Sequence, residues 1–572
     1  MTFLNEILCN LSKSAEKPIL QEVGESQLKT VTNSQLLTWI NEARKKIKLT
    51  GLLPGNRCVL LGNNSSHWVA INLAIMAEGG IVVPLYPRQA SSELISMMRD
   101  CSPTLLCCAD ESFSESLTSP LDAPPQILKF SEILTMSSKL KDQSFNNPDS
   151  SSNSKQKLTN HTNEENNVAK DRVVTIIYTS GTSGEPKGVM LSDSNITFML
   201  QRTTARLEEL MENVVKTGDD RVFHYLPFCF AGSWILLLTC LYRNNCLMLS
   251  TDLNQIAQEL SVSQPHYLLN VPALLERIQT RVSNKIQEQG GIGFRIFRHG
   301  KSAWLRQQNN EWQLCDSIWL FLARSLVFSK IKKKLGLNLR ALICGSAPLS
   351  KGTQFFFQMI GIPVLQVYGL TETTAICTMD NVNHTVAGQV GPAISGIEMA
   401  LSSNQEILVR GPNVFPGYWN RREATDKVLQ NGWFHTGDQG EIDKDGNWKI
   451  VGRVKNIIIT TSGHNISPEP LERKLETALP QSDQVFVVGN SQKYLSAIIT
   501  GKLNRELVEQ GLKKINQELP HYQQIIKYHL TEEPFSIENG LLAANGKVRR
   551  SAVENYYQSE IKTLYNESKK MS

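Results

Sequence analysis

Val173-Val-Thr-Ile-Ile-Tyr-Thr-Ser-Gly-Thr-Ser-Gly-Glu-Pro-Lys-Gly188 is the stretch on which the reading of this chain turns. Its first five residues are all β-branched and four of them apolar, the composition of a buried strand. The strand runs into a hydroxyl-rich loop with glycines at Gly181, Gly184 and Gly188. Glycine permits positive φ and close backbone approach, and successive loop N–H groups form a concavity for anions. The hydroxyls of Thr179, Ser180, Thr182 and Ser183 and the ammonium of Lys187 suit the loop to phosphate oxygens. A Walker loop requires a second glycine directly before its lysine, and Pro186 stands there. The segment is therefore a phosphate cradle of a different kind; the bland alternative is a flexible surface loop.

Upstream, apolar strand and helix patterns alternate. Arg57–Gly62, Ile81–Tyr86 and Thr104–Cys108 read as strands, and His67–Ala77 and a segment opening at Ser91 read as helices. Such alternation predicts an α/β chain with parallel-rich sheets covered by helices, and ligands at the carboxyl ends of strands. With 572 residues the chain exceeds a single core. A hydrophobic content of 41% and a charged content of 20% are those of an ordinary globular protein. The longest apolar run, Trp234–Leu241, is far short of the roughly 18 residues of a membrane span and reads as a buried helix. The N-terminus lacks the pattern of a secretory signal. Eleven cysteines without a CxxC pair, among them Cys58, Cys107, Cys108, Cys240 and Cys344 in apolar segments, fit reduced thiols in a cytoplasmic protein with no zinc site.

Two segments interrupt the alternation. Twelve of the 24 residues from 144 to 167 are Ser or Asn, so this stretch is expected to be a disordered insertion. Residues 274–338 read as a helical insertion. Between Pro272 and Arg340 stand thirteen Lys/Arg and four Asp/Glu, a local +9 in a chain of net charge +5. That charge is either a solvated helical face or a landing surface for anionic lipid, phosphorylated coenzyme A or an acidic carrier protein. No nucleic-acid reader motif accompanies it. Gly300-Lys301-Ser302 imitates a P-loop end, but Arg295 occupies the upstream glycine position.

Five further segments succeed the 178–188 loop: Gln366-Val-Tyr-Gly-Leu-Thr-Glu-Thr-Thr374, Gly411-Pro-Asn-Val-Phe-Pro-Gly-Tyr-Trp419, Gly432-Trp-Phe-His-Thr-Gly-Asp438, Gly452-Arg-Val-Lys-Asn456 and Asn545-Gly-Lys-Val-Arg549. Together they closely resemble the adenylate-forming superfamily of acyl-CoA synthetases, luciferases and peptide-synthetase adenylation domains. The helical insertion resembles that of the long-chain fatty acyl-CoA synthetase branch. The resemblance implies a large adenylation domain over residues 1–452 and a small mobile α+β domain over 453–572. It implies that a carboxylic acid is activated with ATP and Mg²⁺ and passed to the thiol of coenzyme A. Transfer to an acyl carrier protein, or a medium-chain or aryl acid as substrate, stands as an alternative. Peripheral membrane contact is expected from a lipid substrate without a span.

Position by position, the resemblance assigns Thr179, Ser180, Gly181, Thr182, Ser183, Gly184 and Lys187 to the β- and γ-phosphates. It places Thr371 and Glu372 at the α-phosphate, with Glu372 on the metal, and Tyr368 at the adenine. Asp438 and Arg453 fall at the ribose, although they also read as an ion pair. Lys547 matches the lysine that bridges acid and α-phosphate, and Lys455 the hinge. His435 has no catalytic part in the family and reads as scaffold. Phe230 stands where many relatives carry histidine, Val367 where a smaller residue is common, Asn456 where Asp or Glu succeeds the hinge, and His464 where Gly or Glu is common.

Overall fold

The computed structural model describes residues 2–24, 28–109, 117–134, 172–180, 186–212, 219–382, 384–543 and 546–566. Residues 144–167, expected to be a disordered insertion, and Gly181, Thr182, Ser183 and Gly184 of the phosphate loop lie outside them.

The expected early elements form in order: Arg57–Leu61, Ser66–Ala77, Ile81–Leu85, Ser91–Cys101 and Leu105–Cys108. Ser65 caps the first of these helices, its Oγ accepting the Trp68 N–H at 3.1 Å. That helix is buried from Trp68 through Met76, as a helix apolar on all sides must be. Its one central polar residue, Asn72, accepts the Trp234 indole N–H at 3.2 Å. Trp234 belongs to the Ala231–Arg243 helix, which contains the long apolar run and is likewise buried.

Two parallel-rich sheets result. One orders its strands Gln126–Lys129, Leu105–Cys108, Arg57–Leu61, Ile81–Leu85, Val173–Ser180 and Pro186–Ser192. All pair in parallel except the last two, which form an antiparallel hairpin around the phosphate loop. The eight-stranded sheet runs from Thr378–Met379 through Val364–Tyr368, Ala341–Cys344, Tyr267–Asn270, Arg221–His224 and Cys246–Ser250 to the Pro18–Val23/Leu28–Thr32 hairpin. That hairpin is early in sequence yet pairs with Cys246–Ser250, so the first third feeds two sheets and not one. Local periodicity carries no information about such pairing. A smaller antiparallel sheet contains Glu406–Arg410, Trp433–Ile442 and Trp448–Arg453.

The insertion is helical as expected, with Pro272–Gln289, Gly291–Gln308, Asp316–Ala323, a π turn over Arg324–Phe328 and Ser329–Leu335. Gly300-Lys301-Ser302 lies inside the second of these helices, which removes the P-loop imitation. Beyond Arg453, a three-stranded sheet (Gln484–Val488, Leu495–Thr500, Ile525–Thr531) packs with Pro468–Ala478 and Arg505–Glu518 around its own core of Leu475, Val487, Ile499 and Leu512. Cys58, Cys107, Cys108, Cys240 and Cys344 are buried and unbridged, and among the described residues no cluster of three metal-binding side chains occurs. No helix of the described residues is long and apolar enough to cross a membrane.

Candidate active site

The strand Val364–Tyr368 ends at Gly369, and the chain turns through the one-turn 3₁₀ helix Thr371–Thr373. Gly369 is obligatory there: a Cβ would stand 2.2 Å from the Ala375 carbonyl oxygen. Thr374 comes next with φ +53° and is held by its hydroxyl, which donates to the Asn413 carbonyl at 2.7 Å. This turn presents Thr371 and Glu372 to a cleft of about 2170 Å³ lying between the sheets and the C-terminal domain.

The 411–419 segment braces both the turn and the phosphate hairpin. The Phe415 N–H donates to the Glu372 carbonyl at 2.9 Å, and the Tyr418 hydroxyl donates to Glu372 Oε1 at 2.8 Å. On the other side, the Trp419 N–H donates to the Gly188 carbonyl at 2.7 Å and the Met190 N–H to the Gly417 carbonyl at 3.2 Å. Thr179 faces Lys187 across the hairpin, and Lys187 Nζ sits 5.1 Å from the centre of the Tyr418 ring. Tyr418 thus joins the cation and the carboxylate of the site. It lies inside a motif whose likeness is legible, but nothing in the sequence pairs it with Glu372.

Asp438 and Arg453 face each other on adjacent strands. Both carboxylate oxygens of Asp438 are engaged: Oδ1 lies 2.7 Å from Arg453 Nε, and Oδ2 accepts the Tyr368 hydroxyl at 2.8 Å. The ion-pair reading is therefore realised, and it is realised inside the cleft, because Tyr368, Asp438 and Arg453 all line it. Burial pushes the Asp438 carboxyl upward, against the opposing pull of Arg453 and of the Tyr368 hydrogen bond. His435 also lines the cleft, with Nδ1 3.1 Å from Glu406 Oε2, a tie that suits scaffold.

Lys547 arrives from the other domain. It sits on a short loop where the Ala543 N–H donates to the Lys547 carbonyl at 2.8 Å and Gly546 takes φ +77°. The loop enters the cleft, and Arg549 Nη1 meets Glu93 Oε1 of the large domain at 3.4 Å. Burial is the largest cause that lowers the Lys547 pKa; Arg453 adds to it, while Asp438 and Glu372 oppose. The Lys187 pKa is lowered by burial first and by Lys455 second.

Lys455 occupies the 3₁₀ turn Val454–Asn456 between the domains and lines the cleft. Asn456 donates from Nδ2 to Glu469 Oε1 at 2.6 Å, so the departure from an acidic residue at this position is met by an acid further along. His464 stacks on Tyr522 with ring centroids 4.3 Å apart. The 461–466 loop contributes no side chain to the cleft in this arrangement.

Apolar side chains also line the cleft, among them Leu207 of the Asp193–Met211 helix, Ile235 and Leu236 of the Ala231–Arg243 helix, and Leu269, Ile343 and Met379. Thr203 and Thr239, whose hydroxyls are 2.9 Å apart, line it from the same two helices. Phe230, at the start of the Ala231–Arg243 helix, and Val367 line it as well. Gly345 makes room for Val367, since a Cβ there would meet its Cγ2 at 2.7 Å.

The sequence pattern of the AMP-binding enzyme family matches residues 10–419, and that of the AMP-binding enzyme C-terminal domain matches residues 455–569. The chain belongs to the AMP-binding enzyme family. Among relatives of this AMP-binding enzyme, a long-chain-fatty-acid–CoA ligase of Mycobacterium bovis is 26% identical, with 96% of this chain and 94% of that protein covered. Long chain acyl-CoA synthetase 3 of Arabidopsis thaliana is 27% identical over 92% of this chain and 85% of that protein. The fold matches that of O-succinylbenzoate coenzyme A synthetase from Bacillus subtilis, in complex with ATP and magnesium ion. The TM-score is 0.69 at 18% identity, with 96% of this chain and 98% of that chain covered.

Proposed function

We infer that this AMP-binding enzyme activates a long-chain fatty acid with ATP as an acyl-adenylate and transfers the acyl group to the thiol of coenzyme A, releasing AMP and pyrophosphate. The observation that carries the reading is the lining of one large cleft. Lys187, Glu372, Asp438, Arg453 and Lys547 all face it, as do apolar side chains of the Asp193–Met211 and Ala231–Arg243 helices.

A carboxylate resists thiol attack because its leaving group would be oxide. In the first half-reaction a carboxylate oxygen bonds to the α-phosphorus and pyrophosphate leaves. Lys547 is assigned to bridge the incoming carboxylate and the α-phosphate. Burial disfavours its charge; two anionic substrates favour the charged form, so its ammonium is strongest where negative charge develops. Thr179, Ser180, Gly181, Thr182, Ser183, Gly184 and Lys187 are assigned to the β- and γ-phosphates, Thr371 to the α-phosphate, Tyr368 to the adenine, and Asp438 and Arg453 to the ribose.

Glu372 is a single carboxylate, oriented by Tyr418. That donor set fits Mg²⁺, which takes one or two carboxylates beside phosphate oxygens; when bound, the ion neutralises phosphate charge. In the second half-reaction the thiol attacks the acyl carbon and AMP leaves. For this step the 453–572 domain is assigned a rotation about Lys455 that withdraws Lys547 and brings in the 461–466 loop. The domains are taken as 1–452 and 453–572.

The test is incubation of the full chain with palmitate, ATP and Mg²⁺, with either coenzyme A or an acyl carrier protein as acceptor. Palmitoyl-CoA with stoichiometric AMP and pyrophosphate is expected. Acyl-carrier product without acyl-CoA would reassign the acceptor; no acid-dependent AMP across chain lengths would remove the reading.

A further inference from the structure

The helical insertion ends in one continuous run, residues 316–335, in which α-helical Asp316–Ala323 and Ser329–Leu335 flank the π turn Arg324–Phe328. One side of it packs through Leu320, Ala323, Phe328 and Ile331. The other side has no covering element among the described residues. Phe321 is 69% exposed, Ile318 63% and Leu326 47%, and Leu314, just before the run, is 96% exposed. Large apolar side chains this open, and adjacent along one helix, are not ordinary surface for a single protein chain.

The π turn sets which side chains extend that exposed face. An α-helix advances ~100° per residue, and a π turn closes on the i→i+5 bond, so it holds about one residue more per turn. The five π residues therefore set the phase back by about one residue. Without that delay Lys330 would rotate toward the buried side. With it, Lys330 and Lys333 continue the stripe begun by Ile318 and Phe321, and both are exposed, as is Lys334. Lys332, by contrast, turns inward and donates to the Gly361 carbonyl at 2.9 Å. From Ser317 to Arg340 the sequence has no acidic residue. The one acid at the head of the run, Asp316, is buried and paired with Arg306.

We propose that this face docks on an anionic lipid surface, with Leu314, Ile318 and Phe321 entering the headgroup–acyl boundary and Lys330, Lys333 and Lys334 at the phosphates. The pairing of an apolar tip with a basic continuation is the composition of an interfacial helix. An acidic protein partner would match the lysines but leave a stripe of large apolar side chains without an equivalent counterpart. The proposal does not rest on the chemistry assigned to the cleft.

The test is sedimentation of the full chain with vesicles of phosphatidylcholine alone or of phosphatidylcholine mixed with phosphatidylglycerol. Binding to the mixed vesicles, weakened by salt, is expected. A basic side chain near an anionic surface contributes ~1 kcal/mol, about fivefold in partitioning. Lys330→Glu/Lys333→Glu/Lys334→Glu is therefore expected to weaken binding by at least ~100-fold. Ile318→Ser/Phe321→Ser is expected to abolish measurable binding without changing the thermal midpoint, since both side chains are exposed. Leu49→Ser, at an apolar residue 83% exposed elsewhere on the surface, is expected to leave binding unchanged.

The proposal is overturned by absence of binding, by equal binding of the variants, or by equal loss in Leu49→Ser. It is also overturned if light scattering shows a dimer that Ile318→Ser/Phe321→Ser dissociates.

Discussion

Glu372 and Lys547 face the same cleft but are held in opposite ways. Glu372 sits on a tight turn whose backbone and carboxylate are both tied to the 411–419 segment, through Phe415 and Tyr418. Asp438 is fixed as firmly, between Tyr368 and Arg453. Lys547 rides on a short loop of a domain with its own core, and the Arg549–Glu93 bridge beside it spans partly exposed side chains. Fixed groups suit charge that is present throughout a reaction; a group on a separable domain suits charge needed for only one step. In the proposed reaction the large domain holds the nucleotide and the small domain sets the timing.

The largest expected effect breaks the contrast at its mobile end. Lys547→Ala is expected to lower hydroxamate-trapped adenylate formation by ~10²–10³-fold, the usual cost of removing one charge-stabilising donor. Thiol attack on supplied acyl-adenylate should stay within a few-fold. Equal loss of both half-reactions would place Lys547 with the fixed groups.

Tyr418→Phe tests the fixed end. It removes a hydrogen bond to a carboxylate, worth about 1.5–3 kcal/mol, so adenylate formation should fall ~10–100-fold, with a higher Mg²⁺ requirement. An unchanged Mg²⁺ dependence would separate Glu372 from the metal.

The apolar lining of the cleft offers a subtler change. Thr239→Phe replaces the hydroxyl that pairs with Thr203 by a bulkier ring in the cleft lining, and each methylene denied burial costs about 0.8 kcal/mol. Preference should move to shorter acids by a few methylenes, read from kcat/KM across a chain-length series, with activity on short acids retained.

The smallest effect concerns the domain contact. Glu476 on the Pro468–Ala478 helix faces Glu472, Arg473 and, from the insertion, Glu276; burial first, then the two glutamates, pushes its carboxyl up to about 7. Of these causes Glu276 lies across the domain contact and raises the pKa, so the apposed arrangement binds more protons than the separated one. Its contribution is therefore lost as pH rises through about 7. Glu476→Gln should flatten the pH dependence of an interdomain distance measured with paired labels. An unchanged profile would move the sensitivity elsewhere.

Much of this arrangement is legible in the residues alone. Apolar runs, caps and the glycine-rich loop locate the strands around the cleft, and the motifs mark Glu372, Asp438, Arg453 and Lys547. What escapes is pairing across the chain. Tyr418 with Glu372 and Thr203 with Thr239 are separated by 46 and 36 residues, and Arg549 with Glu93 by most of the chain. No periodicity reports contacts at those separations. The Pro18–Val23 hairpin joins a distant sheet, unforeseen for the same reason. The π turn at Arg324 is equally hidden, because a one-residue change of phase leaves composition unaltered.

The most direct measurement is exchange of labelled pyrophosphate into ATP by the full chain, with Mg²⁺ and palmitate but without any thiol. Reversible formation of an acyl-adenylate predicts exchange that requires the fatty acid and is lost in Lys547→Ala. Release of ADP and orthophosphate, with no acid-dependent exchange, would contradict the account.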